Sequence, residues 1–432
     1  MSDPTDISHL LRRTEFGARP ERVAALSSGT LEAAVDDVLN VSLNGVTTLP
    51  AYLQTEDKVE PYRQYQHAYH WWLDRMVDRP RPFQERMALF WHGHFTSALH
   101  GIVYRTDLMM QQNQLYRTLA LDNYRDLAQR MAVEPAMLVY LSNWVNVRSA
   151  PNKNFARELM ELFLLGAGNY SEADVDAASR AWTGHTVDAQ ARYVFDPSTH
   201  DDGLKLFFGK TRNWNGPDII DEILRDNVGT RAIAARFIVR KLWEQFAHPG
   251  PPAGVVDVLA DQLVANQLDL APTLRAMFLR PEFYAPAAKH GLVRTPTEFI
   301  VAALYHLGAS AEDVAAEWRA APMGQVLFNP PNVSGWRSNS YWITTSALSG
   351  RAQLAAAESY RPCVGNDFDG INAMSPPDAV DHVAQRFGVH PLSPPSRRAL
   401  IDGLQAGRDA QDWYATVNLL TATMLTPEFN AA

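Results

Sequence analysis

Residues 152–166 read NKNFARELMELFLLG, and this stretch decides how the rest of the chain is interpreted. Phe155, Leu159 and Phe163 recur at the spacing of one helix face. Asn154 is the predicted N-cap, because its side-chain oxygen can accept a first-turn N–H. Gly166 stands where a left-handed residue commonly ends a helix. Since the LFLL half is apolar all round, we expect a helix buried in a large core.

Charged residues interrupt this apolar helix. Glu158 and Glu161 lie three residues apart, with Arg157 next to the first of them. Carboxylates at the rim of a buried helix cost free energy unless a cation, a basic side chain or a proton compensates them. We therefore place the candidate catalytic residues here, with Arg157 as part of the same group.

The composition is that of an ordinary globular protein. The chain has 432 residues, of which 46% are apolar and 20% charged, and its formal net charge is −9. This charge argues against a duplex nucleic-acid surface. Cys363 is the single cysteine, so no intrachain disulfide forms. Neither a signal-peptide-like start nor an apolar run of membrane-spanning length occurs, and a cytoplasmic protein without membrane contact is expected.

Helical periodicity dominates the chain, which predicts an all-α fold with many helices. Residues 191–210 are the exception, because ARYVFD and LKLFFG have the pattern of two short strands around an Asp-Gly turn and predict one small β-hairpin. We expect a single helical body over residues 1–432, with a soft division into halves 1–215 and 216–432.

The segment FQERMALFWHGHF holds two histidines, His92 and His94. In an unbroken helix the two side chains diverge and cannot share a metal ion. If Gly93 breaks the helix, residues i and i+2 of an extended backbone point to the same side. His-x-His is then a ligand pair for zinc, copper or iron, while the alternative is one packed and one solvated histidine.

Two further segments supply candidate site residues. His200 and Asp201 lie at the predicted hairpin tip, where they are either site residues or a polar turn, and Lys205 follows as a candidate substrate-binding residue. Residues 323–344 form a long irregular segment rich in Asn, Pro and Trp, which we interpret as an ordered loop covering a pocket. Its candidate substrate-binding residues are Asn332, Trp336 and Trp342.

The order of these motifs resembles the large bacterial family catalogued as domain of unknown function 1800. The matching segments run from about residue 8 to residue 360: HLLRRTEFG, RMALFWHGHF, NKNFARELMELFLLG, YSEADVDAASRAWTG, FDPSTHDDGLKLFFG, FIVRKLWEQF, RPEFY, RTPTEF and MGQVLFNPPNVSGW.

The resemblance implies no established activity, but it implies that the histidine, glutamate and His-Asp motifs are features of the group. It therefore favours functional roles for His92, His94, Glu158, Glu161, His200 and Asp201. Lys153 and Ser142 depart from the family pattern, which has acidic residues at these positions. If those acids are catalytic, this protein is impaired.

Three functions are compatible with the sequence. The first is an enzyme, a hydrolase or oxidoreductase, that holds Zn²⁺, Fe²⁺ or Mn²⁺ on His92, His94, Glu158 and His200. The second is a metal-free glycan hydrolase, in which one glutamate and Asp201 act as paired carboxylates beside tryptophan platforms. The third is a scaffold in which Arg157, Lys205 and Arg240 neutralise the carboxylates. An enzyme acting on a small molecule or glycan is favoured, and the absence of phosphate-loop and dinucleotide motifs argues against a nucleotide cofactor.

Overall fold

A computed structural model describes residues 1–45, 47–100, 104–289, 291–360, 368 and 370–431. These residues are mainly helical, and the predicted all-α class is confirmed. In chain order the helices of the described ranges, numbered α1 to α21, are Pro4–Thr14, Pro20–Ser27, Leu31–Leu39, Pro61–Asp78, Phe83–His94, Thr106–Thr118, Tyr124–Ala132, Pro135–Tyr140, Lys153–Glu158, Glu172–Ala181, Gly216–Asp221, Val228–Phe246, Val255–Ala265, Leu270–Phe278, Pro296–Leu307, Ala316–Met323, Thr345–Ser359, Pro376–Arg386, Pro394–Asp409, Ala415–Met424 and Pro427–Asn430.

Local sequence explains where many of these helices begin. Proline occupies the first turn of several helices, where its missing N–H costs nothing. In α15, Thr295 and Glu298 form a reciprocal capping box in front of Pro296. This cap also fixes the position of the Glu298 carboxylate, which lines the cavity described below.

The central stretch differs from the single α-helix that its spacing predicts. Asn152, not Asn154, is the N-cap, because its side chain accepts the Asn154 N–H. After α9 the backbone continues as a π-helical turn over Leu159–Leu164, where Leu165 N donates to Met160 O five residues back. The extra residue shifts the helix register, and π-turns of this kind occur frequently at functional sites. The turn ends, as predicted, near a left-handed Gly166 at φ +84°.

In the described part of the chain the strands form two hairpins instead of one. β1, His185–Val187, pairs antiparallel with β2, Tyr193–Phe195. β3, Lys205–Phe207, pairs antiparallel with β4, Lys210–Arg212. The predicted pairing of ARYVFD with LKLFFG is therefore wrong, because each strand finds a closer partner across its own turn.

The core buries charge as well as apolar surface. Glu85 of α5 is fully buried and accepts from Arg75, Arg117 and the Trp72 indole. Arg86 of the same helix pairs with Glu298 of α15, so this ion pair crosses the predicted division between the halves. The division itself stays a prediction.

Candidate functional site

The predicted carboxylates lie at the half-buried rim of the central helix. Glu161 accepts the Tyr170 hydroxyl, and Arg157 forms its ion pair with Glu172, so the arginine does not neutralise Glu158 by direct contact. Burial and the neighbouring Glu161 charge raise the pKa of Glu158, while Arg157 opposes them. Arg157 therefore acts on Glu158 through its charge alone, while its ion pair is with Glu172.

The two histidines do not form a pair. Helix α5 continues through Gly93 to His94, so the predicted extended geometry is wrong. The Phe328 N–H donates to His92 Nε2 at 3.0 Å, which ties His92 to the irregular loop. His94 Nε2 lies 2.9 Å from the Phe163 carbonyl oxygen, at the end of the π-turn. The predicted ligands His92, His94, Glu158 and His200 are not brought together, and the described ranges hold no group of three or more His, Cys, Asp or Glu placed for a metal.

The His200–Asp201 segment has structural partners. It lies between the two hairpins, where His200 Nδ1 is 2.7 Å from the Thr183 carbonyl oxygen. Asp201 forms an ion pair with Arg180 at 2.6 Å. Lys205 is buried, and its amine donates to the carbonyl oxygens of Asp201, Gly203 and Trp214. The polar atoms of His200, Asp201 and Lys205 are therefore engaged in contacts that hold the segment between the two hairpins in place.

The irregular loop covers a cavity, as its sequence predicts, but only one of its three candidate residues reaches that cavity. Trp342 is 2% exposed and belongs to the core. Asn332 is exposed and accepts the Ser334 N–H across a turn. Trp336 lines the cavity, with its ring 5.1 Å from that of His92.

A close backbone contact fixes this loop on α5. Gly335 has φ +76°, and a Cβ added there would lie 2.3 Å from the Gly93 carbonyl oxygen. Only glycine permits both the left-handed backbone and this approach. The Leu99 N–H also donates to the Phe328 carbonyl oxygen. The WHGH and VSGW motifs therefore pack directly against each other.

The cavity under this loop has a volume of about 210 Å³, below the usual range for drug-sized ligands. Its lining comes from α5, α12, α15 and the irregular loop: Leu89, Phe90, Gly93, His94, Lys241, Glu244, Gln245, Thr295, Glu298, Gln325, Ser334, Trp336, Arg337 and Ser338. The FWHGHF, FIVRKLWEQF, RTPTEF and VSGW segments, which are far apart in sequence, thus meet at one small cavity.

Lys241 and Glu244 are residues of this cavity that the sequence analysis did not single out. The Lys241 Nζ lies 3.1 Å from both His94 Nδ1 and the Leu162 carbonyl oxygen. Burial lowers the pKa of Lys241 to about 8, and Glu244 opposes the shift. The sequence signal for Lys241 is its position directly before Leu242 and Trp243, which are buried. Lysine is rarely found in the protein interior, so a lysine within such an apolar segment is unusual.

The tautomer of His94 follows from its two contacts. Because Nε2 faces a carbonyl oxygen, Nε2 carries the proton, and Nδ1 is left to accept from Lys241. Burial and the Lys241 charge hold the pKa of His94 well below its usual value, so the ring stays neutral. His94, Lys241 and the Tyr124 hydroxyl thus satisfy the last carbonyls of the central helix.

Comparison with known proteins assigns a family and no activity. The family model described as "Protein of unknown function (DUF1800)" matches residues 9–431. No curated protein and no solved structure matches the chain significantly. No helix in the described part of the chain is long and apolar enough to cross a membrane.

Proposed function

Because the chain belongs to the DUF1800 family of proteins of unknown function, we propose its activity from the cavity alone: it is an enzyme that uses the Lys241 amine on a small molecule. The observation that carries this proposal is the position of Nζ. It lines the cavity while facing two fixed acceptors, His94 Nδ1 and the Leu162 carbonyl oxygen.

The hydrogen bonds of Lys241 can be made by its charged form and also by its neutral form. A neutral amine has two N–H groups and one lone pair, whereas the ammonium form has three N–H groups and no lone pair. The two acceptors at 3.1 Å take the two N–H groups of the neutral form and leave its lone pair unassigned. A pKa of about 8 leaves roughly a tenth of Lys241 neutral at pH 7, far more than for an ordinary lysine. An amine in this state acts as a general base or as a nucleophile.

Aromatic rings lie close to the Lys241 side chain. Phe90 and Trp336 lie on the cavity wall, and the Phe237 ring centroid is 4.7 Å from Nζ. These rings keep the lysine amine from being fully solvated, which disfavours its charged form.

The test compares turnover between matched variants. Wild type, Lys241→Met and the surface control Lys289→Met are incubated with a small-metabolite extract, and consumed compounds are identified by mass spectrometry. We expect a compound that wild type and Lys289→Met consume and that Lys241→Met leaves intact while it stays folded by circular dichroism. Equal consumption by Lys241→Met, or no consumption by wild type, contradicts the proposal.

A divalent metal and a glycan remain separate proposals. The raised pKa of Glu158 beside Glu161 supports a cation at the rim of the central helix, and Trp336 supports a sugar platform in the cavity. Elemental mass spectrometry of wild type and Glu158→Ala tests the metal, for which Zn, Fe and Mn are the candidates. The cytoplasmic location and the lack of nucleic-acid partners stay predictions.

A further inference from the structure

A second titratable group faces the same cavity as Lys241. Glu244 follows Lys241 by three residues on α12, which places the two side chains on neighbouring positions of one helix face. Both residues line the cavity, and Glu244 is half-buried. Among the described residues Glu244 has no hydrogen bond or ion pair that would hold its carboxylate elsewhere. It is therefore available to a ligand in the cavity.

The other carboxylate of the cavity is already occupied. Glu298 Oε1 accepts from Arg86, and Oε2 accepts the Thr295 N–H at 2.9 Å. Oε1 thus holds α15 against α5, and Oε2 caps the first turn of α15. Proton transfer within the cavity consequently falls to Glu244.

We propose that the substrate is a small carbonyl compound, an aldehyde or ketone, that forms an imine with Lys241, and that Glu244 is the catalytic acid–base of this step. This inference rests on the proposed role of Lys241 and names its substrate class. It follows from the position of the Lys241 amine and, about one helical turn away, a carboxyl group that is unpartnered among the described residues, both on residues that line one small cavity.

The Nζ lone pair attacks the carbonyl carbon, the C=O π electrons move to oxygen, and one nitrogen proton passes to that oxygen, which gives a carbinolamine. The Glu244 carboxyl group donates a proton to the carbinolamine hydroxyl, which leaves as water while the nitrogen lone pair forms the C=N bond. The remaining N–H proton of the iminium then returns to the Glu244 carboxylate. One water is released for each imine formed, and no oxidant or reductant is consumed.

The cavity size sets the range of substrates. A volume of about 210 Å³ fits a compound of a few carbon atoms. Butanal is a suitable probe, because it brings a carbonyl group on a short apolar chain and no charge. Sodium cyanoborohydride reduces the imine to a stable butyl-lysine, which peptide mass spectrometry assigns to one of the six lysines.

The first experiment treats the folded wild-type protein with butanal and cyanoborohydride at about pH 7.5. We expect Lys241 to be butylated more than tenfold faster than Lys289, which is held in an ion pair with Asp6, because burial lowers the pKa of Lys241 and so enlarges its neutral fraction. Acetic anhydride is used in parallel as a reagent that needs only a neutral amine. Butylation of Lys241 no faster than that of Lys289 overturns the imine proposal. If acetic anhydride also fails to select Lys241, the proposed role of the amine fails with it; if it does select Lys241, only the carbonyl substrate is refuted.

The second experiment separates acid–base catalysis from a simple charge effect. Glu244 raises the pKa of Lys241, so Glu244→Gln increases the neutral fraction of the amine. If the carboxylate acts only through its charge, butylation of Lys241 in Glu244→Gln becomes faster. If it protonates the carbinolamine, butylation becomes slower, by about tenfold or more. Acetylation by the anhydride reports the neutral fraction in the same variant, and faster butylation overturns the role of Glu244.

Discussion

The contact between Gly335 and Gly93 predicts that Gly335→Ala opens the cavity. An alanine Cβ would lie 2.3 Å from the Gly93 carbonyl oxygen, so the loop must move by about 1 Å or more to restore normal contact. The left-handed backbone, at φ +76°, adds strain of about 1–2 kcal/mol for any residue with a Cβ. Overpacking adds about 1–3 kcal/mol.

A matched control isolates the contact. Gly308 also has a left-handed backbone, at φ +66°, but nothing lies within 4 Å of its added Cβ. Gly308→Ala therefore carries the backbone strain alone. We expect Gly335→Ala to lower the free energy of unfolding by about 1–3 kcal/mol more than Gly308→Ala.

The assay combines urea unfolding with hydrogen exchange read by mass spectrometry. Peptides spanning residues 326–338 should exchange faster in Gly335→Ala, because the Phe328 N–H loses its fixed acceptor, His92. The same peptides should exchange normally in Gly308→Ala. Equal stability of the two variants together with unchanged exchange in the loop would refute the reasoning.

Four further predictions follow from buried polar contacts. Lys241→Met should change the free energy of unfolding by no more than about 2 kcal/mol in denaturant titrations, because two lost hydrogen bonds are offset by removing a buried amine. Burial lowers the pKa of His92 to about 3, so its neutral form is the one that folding favours. The contribution of His92 to the free energy of unfolding is complete above about pH 6.5 and decreases as the pH falls towards 3. At about pH 4.5 this contribution is smaller by about 3 kcal/mol. The His92→Gln variant should lack this pH dependence. Glu85→Gln should cost about 3–5 kcal/mol in the same titrations, since it leaves buried arginines without a charge partner. Tyr124→Phe should cost only about 1 kcal/mol, because His94 still donates to the shared carbonyl oxygen; a loss as large as that of Glu85→Gln would contradict this account.

The fold class could be predicted because helical periodicity is a local property of the sequence. Apolar spacing identified the central helix and the turn glycine after it, and Asn-Pro-Trp composition identified the covering loop. The π-turn at Leu159–Leu164 was not predictable in this way, because an i→i−5 hydrogen bond leaves no distinct side-chain pattern. Strand pairing failed for a similar reason: short strands with nearby turns have several possible partners.

The site was harder to predict than the fold. Two of the predicted site residues, His94 and Trp336, line the same cavity. The predicted role of His94 as a metal ligand differs from its observed contact, because a buried histidine forms hydrogen bonds with the polar atoms that lie next to it. For His94 this atom is a carbonyl oxygen at the end of a helix. Lys241 was missed because the lowering of its pKa depends on burial by three segments that are far apart in sequence. No local sequence pattern indicates such burial.

The most direct test of the central claim is the pKa of the Lys241 amine. The chain has six lysines, so lysine labelled with ¹³C at Cε gives a spectrum that Lys241→Arg can assign. We predict that the Lys241 signal titrates with a midpoint near pH 8, well below the ordinary lysine value of about 10.4. A midpoint at about 10 or above would mean that Lys241 is an ordinary ammonium ion, and the proposed active site would be wrong.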